Sequence, residues 1–128
     1  SSMTIARFLS VVIDATNPKE LSEFWRALLG GEVDPRTATE EWISLRDVPQ
    51  LGYLSFQKVP EERMVKNRVH LDMDVDDIAV ATSQAVAAGA RTFGGVVDEG
   101  TGLLQVMLDP EGNEFCLIQR IPTSRTSL

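Results

Sequence analysis

Two stretches of the chain, 8–17 and 68–77, alternate apolar with polar residues. A period of two predicts strands that turn one face toward a core. Each stretch runs into a helix signal. After the first, Asn17 suits an N-cap, Pro18 the first helical position and Glu20 a capping-box acid. Leu21, Phe24, Trp25, Leu28 and Leu29 then form one apolar stripe, which Gly30-Gly31 ends. After the second, Asp77 caps a helix over about 78–88 and Gly89 ends it. Its stripe of Ile78, Ala81, Ala85 and Ala88 is small, so this helix is expected to lie close to its sheet. Three short strands follow each helix, at about 31–34, 41–46 and 52–59, and at about 91–97, 103–108 and 114–121. The segments 98–102 and 109–113 read as turns, with Pro and Gly where turns want them.

The order of elements repeats. Gln57-Lys58-Val59-Pro60 closes the first half, and Gln119-Arg120-Ile121-Pro122 closes the second sixty-two residues later. The first strands of the halves match at an offset of sixty. The chain therefore reads as an α+β fold in a single domain over 1–128, built of two tandem βαβββ modules at about 7–60 and 67–122. Neither module can bury its apolar face alone. The two are expected to join through a pseudo-twofold into a curved mixed sheet around a cavity, with helices on the outer face.

Strand parity then sorts the residues. Val69, Leu71, Met73 and Val75 are expected under the helices, leaving Arg68, His70, Asp72, Asp74 and Asp76 on the other face. Phe8, Ser10, Val12 and Asp14 share the His70 face in the first half. On the last strand Glu114, Cys116, Ile118 and Arg120 take one parity, and Phe115 and Leu117 the helix side. The expected ligand pocket combines Phe8, Ser10 and Val12 with Trp42, Leu54 and Phe56. His70, Asp72 and Cys116 complete it. An apolar hollow with a few converging polar groups is the usual setting for a small organic ligand. The same face could instead be covered by a second copy of the chain, and the two uses are compatible; a homodimer is expected.

Composition narrows the function without naming it. Among 128 residues, 43% are hydrophobic and 24% charged, which is ordinary for a globular protein. The net charge of −7 and a pI near 4.6 argue against nucleic acid as a partner, because phosphate binding needs a basic patch. No apolar run reaches the roughly 20 residues of a membrane span and no signal-peptide pattern opens the chain, so a cytoplasmic location is expected and no membrane partner. The lone Cys116 excludes an internal disulfide and any multi-cysteine zinc site.

The segments "NPKELSEFWRALLGGEV" at 17–33, "VHLDMDVDDI" at 69–78 and "LDPEGNEFCLIQ" at 108–119 resemble the vicinal oxygen chelate superfamily. This is the glyoxalase, bleomycin-resistance and extradiol-dioxygenase group, and the likeness is greatest to its small bacterial glyoxalase-like members. With the duplication, the resemblance covers 7–122. It implies a metal site of four inward side chains, two from each half, usually His or Gln paired with Glu. Carried over one by one, those positions fall on Ser10, His70, Cys116 and, through the Gln-Lys-Val-Pro match, Leu54. Only His70 keeps a ligand type of the family. A catalytic divalent ion needs about three protein ligands, so neither a metal nor another cofactor is expected.

His70 could still act as a general base held by Asp72, although a pocket histidine that only hydrogen-bonds is the commoner case. Cys116 could be a nucleophile beside His70, but a lone strand cysteine is usually a small buried hydrophobe. Trp42 and Phe56 could stack on a planar ligand or simply fill the core. The sequence leaves enzyme and binder open. It favours a metal-independent, small-molecule-binding glyoxalase-like protein. The alternatives are a drug-binding resistance protein of the bleomycin-resistance type and a metal-dependent lyase or dioxygenase.

Overall fold

The computed structural model describes residues 9–60 and 71–121. Contacts separate two units, Ser1–Glu62 and Arg63–Leu128, and each contains a mixed sheet with one helix packed on it.

In the first unit, β1 (Ser10–Ala15) leads to α1 (Pro18–Leu29), followed by β2 (Glu32–Val33), β3 (Trp42–Val48) and β4 (Gly52–Lys58). The sheet order is β1-β4-β3-β2, with β1 parallel to β4 and the other pairs antiparallel. The helix starts as its sequence predicts: the Asn17 side chain accepts from the Glu20 amide at 3.2 Å. It stops at Gly30, whose φ of 89° lies in the left-handed region. Leu21, Phe24 and Trp25 are buried against β3, β4 and β1, with Phe24 edge-on to Trp25 at 5.5 Å between ring centres. Between β3 and β4 the register shifts after Leu45, and Asp47 and Gln50 take φ of 56° and 69° to close the turn.

The second unit runs β5 (Asp72–Asp74), α2 (Ile78–Ala88), β6 (Arg91–Thr92), β7 (Val97–Asp98), β8 (Gly102–Leu108) and β9 (Glu114–Arg120). Its sheet order is β5-β9-β8-β6, with β7 also on β8. Asp77 caps α2 by accepting from the Val80 amide at 3.0 Å. Gln119, from β9, accepts from the Ile78 amide at 2.8 Å and ties the helix start to the sheet. Of the small stripe, Ile78 and Ala85 are buried, Ala81 is half-buried and Ala88 is exposed. The strand expected at 91–97 is in fact two short strands. Gly94-Gly95 interrupts it, and the Gly94 carbonyl accepts from the buried Gln105 side chain at 3.0 Å instead of continuing the ladder.

The turn at 109–113 is a clasp. Buried Asp109 accepts through its carboxylate from the amides of Glu111 and Asn113, both at 2.9 Å, and from the Asn113 side chain. A carboxylate taken out of water is tolerated only when hydrogen-bonded this fully. Gly112, at φ 85°, closes the turn by donating to the Asp109 carbonyl at 2.8 Å. Among the described residues no helix is long and apolar enough to cross a membrane.

Candidate functional site

Register fixes which side chains share a face. In the first sheet Val11 lies opposite Leu54, Ile13 opposite Phe56, and Ile43 and Leu45 complete the rows across β3. These rows face α1: Leu54 is 1% exposed and Phe56 0%. The other face carries Ser10 opposite Tyr53, Val12 opposite Ser55, and Asp14 opposite Gln57, continued on β3 by Ser44 and Trp42.

Leu54 and Phe56 are therefore not on the ligand face. They are core residues beneath α1, on the side opposite Ser10 and Val12. The error lies in the match between the two tails. Val12 pairs with Ser55 and Asp72 with Cys116, so the first-half counterpart of Cys116 is Ser55, one residue beyond Leu54. In a strand, one residue reverses the face. Trp42 does share the face of Ser10 and Val12. Phe8 and His70 lie outside the described residues.

The face so defined holds a polar group that sequence patterning missed. Ser44 and Ser55 sit side by side on β3 and β4 with their hydroxyls 2.8 Å apart, and they are only 6% and 3% exposed. The Trp42 indole N–H donates to the Ser44 hydroxyl at 2.9 Å. Larger side chains surround the two serines on the same face: Val12, Tyr53 and Gln57 beside Ser55, and Trp42 and Arg46 beside Ser44. Two small, buried residues thus sit among larger neighbours on this face.

Asp34 extends β2 by one step, its amide donating to the Ser44 carbonyl at 2.8 Å. The Arg36 guanidinium grips its buried carboxylate in a fork of 3.0 and 2.8 Å, and the Arg36 amide adds a third bond. These bonds to Arg36 hold the Asp34 carboxyl well below its usual range, at about 2. Arg36 in turn lies against the Tyr53 hydroxyl, after its stronger tie to Asp34. A single clue in the sequence, Asp34 two residues before Arg36, could have marked this pair as a local turn.

In the second sheet, Asp72, Cys116 and Val106 align across β5, β9 and β8, and Asp74, Ile118 and Leu104 form the next row. Arg120 forks onto Asp74 at 3.0 and 2.9 Å on the exposed rim. The helix side carries Met73, Leu117 and Gln105, as the parity of β9 predicts. Burial pushes the Cys116 thiol above its usual range, and the charges of Asp72, Glu114 and Glu99 push it further. A thiol held protonated is a poor nucleophile.

These donors do not fit the fold family's metal. At the described ligand positions stand Ser10, Ser55 and Cys116: two hydroxyls and a lone thiol, where the family's divalent ion takes imidazole or carboxylate. Among the described residues, no three His, Cys, Asp or Glu side chains are placed to hold an ion.

A family model described as a glyoxalase-like domain matches residues 10–118. The chain belongs to that family. With it comes membership of the vicinal oxygen chelate superfamily, and solved structures of similar fold agree. One is a glyoxalase/bleomycin resistance protein/dioxygenase family enzyme from Burkholderia phytofirmans PsJN, 19% identical, with a TM-score of 0.74 over 88% of this chain and 97% of that one. Another, from Nocardioides, is 13% identical with a TM-score of 0.69, covering 98% of this chain and 91% of its own. A fosfomycin resistance protein from Mesorhizobium loti is 10% identical with a TM-score of 0.69, covering 96% and 98%. At these identities the likeness concerns fold alone. A search of curated proteins gave no significant match. The glyoxalase-like chain thus shares its scaffold with proteins of several activities, and its chemistry has to be argued from its own residues.

Proposed function

We propose that this glyoxalase-like protein binds a small organic ligand on the sheet face opposite α1, without a divalent metal, and acts as a homodimer. The observation that carries the reading is the buried, hydrogen-bonded pair Ser44 and Ser55 set among Val12, Trp42 and Tyr53 on that face. A few polar groups among apolar and aromatic neighbours is the composition expected of a ligand site. The serine and cysteine donors support metal independence.

A thermal-shift panel tests this. Small aromatic or acidic metabolites are expected to raise the melting temperature, and Trp42 fluorescence is expected to respond. Added divalent metals are expected to change neither the stability nor ligand affinity. If no compound in a broad panel stabilises the protein, the ligand face loses its support.

A second reading, sequestration of a cationic drug, is favoured by Asp72, Glu99 and Glu114 gathered around Cys116. Expression would then protect cells while the drug is recovered unaltered; a modified drug rules against it.

A further inference from the structure

From Arg91 to Asp98 the chain runs along β8, first as β6 and then as β7, and among the described residues no further strand lies beyond it. The amides of Phe93 and Glu99 donate to the carbonyls of Val106 and Gly102, both at 2.9 Å, so these residues turn their backbone inward. Backbone direction alternates along a strand, so Thr92 and Asp98 turn theirs outward. Every residue from 91 to 100 is exposed, including Phe93 at 59% and Val97 at 50%. An edge that combines outward backbone groups with apolar side chains is a template for another strand.

Gly95 supplies an independent observation. Its φ lies outside the left-handed region, and nothing stands within 4 Å of where a Cβ would be. Nothing within one protomer therefore requires glycine there, although glycine weakens a strand. A second backbone passing close by does require it. Gly94 leaves the way clear, because its carbonyl turns back to the Gln105 side chain.

The sequence on either side of Gly95 selects the second strand. Counted outward from Gly95 in both directions, Phe93 meets Val97, Thr92 meets Asp98 and Arg91 meets Glu99. Thr92 and Asp98 are the residues whose backbone points outward. Phe93 and Val97 share one side of the sheet, beside Val106 and Leu104 and away from Gln105. Arg91 and Glu99 carry opposite charges. Backbone direction, apolar contact and charge are thus all complementary to a second copy of the same segment, as an isologous twofold contact demands.

We propose that two copies of the chain join through this edge, with β6–β7 of one protomer antiparallel to β6–β7 of its partner and the twofold axis at Gly95. The second sheet then continues from one protomer into the other. This assignment rests on the homodimer proposed above and names its interface. Each contact occurs twice, so two Phe93–Val97 contacts and two Arg91–Glu99 pairs flank the axis. One strand from each protomer makes a small interface, and association in the micromolar range is expected.

Sedimentation equilibrium of the full chain at pH 7 tests the edge. Arg91→Glu and Glu99→Arg each set like charges face to face, and each is expected to weaken the dimer at least about tenfold. The double variant Arg91→Glu/Glu99→Arg restores the pairing and is expected to recover near-wild-type association. One single substitution makes the chain more negative and the other less, so general repulsion cannot account for weakening by both. Gly95→Val is expected to weaken the dimer while the melting temperature of dilute protein does not fall. If these variants dimerise as the wild type does, the edge is overturned and the homodimer stands on another surface. Weakening that the double variant fails to recover also overturns this register. A wild type that stays monomeric up to about 200 µM overturns the edge and the homodimer together.

Discussion

At the residue scale, one local pair on the first sheet carries a pH dependence of its own. Asp34 is buried and its carboxyl is depressed to about 2 by Arg36, so its stabilising effect is complete above its unfolded value near 4. It is lost as pH falls from about 4 through about 2. Acid titration of stability, followed by chemical denaturation at a series of pH values, is expected to show a fall in that window. Asp34→Asn is expected to be less stable at neutral pH and to lack this part of the acid dependence. Cys116 shifts the other way. Its raised pKa predicts slow alkylation at pH 7–8, well below the rate for denatured protein, with the rate climbing only above the ordinary thiol value of about 8.5. Fast labelling of the folded protein at neutral pH would contradict that environment.

At the scale of elements, helices were the legible part of the sequence. Their ends are written in single residues: Asn17 and Asp77 cap, Gly30 and Gly89 stop, and both helices begin and end as expected. Strand faces were less legible. Parity worked on β9, where Phe115 and Leu117 fell on the core side. It failed on β4, because matching the two Gln-x-x-Pro tails placed that strand one residue out of step with its repeat. The apolar pair Leu54 and Phe56 held the better clue, since it matches the stripe of α1. The serine pair escaped notice because a hydroxyl chain forms between strands that no local pattern joins.

This assignment of faces makes a paired prediction. Phe56→Ala is expected to destabilise by about 3–5 kcal/mol, as for a large side chain removed from a packed core. Ser55→Ala, next to it but on the opposite face, is expected to cost only about 0.5–1.5 kcal/mol, the worth of one hydrogen bond. Chemical denaturation measures both. Similar costs for the two would mean that the register of β4 is wrong.

At the scale of the whole molecule, net charge controls association. The chain carries −7 at pH 7 and reaches neutrality near pH 4.6. Self-repulsion therefore fades as pH falls toward that value, and light scattering is expected to rise there and subside again on either side. Added salt at pH 7 is expected to act in the same direction by screening. Sedimentation at neutral pH over a range of concentrations tests the proposed homodimer separately from this effect.

The Asp109 clasp bears on how such proteins are recognised at all. The stretch from Leu108 to Gln119 is among the most recognisable in the chain, and the hydrogen bonds of its first half fold a turn back on itself. That task is indifferent to what the neighbouring strands bind. A lineage built on this scaffold can exchange imidazole and carboxylate for serine and thiol and still carry the clasp unchanged. Membership read from that signature thus records descent. The chemistry is written in other positions, on the faces of the strands.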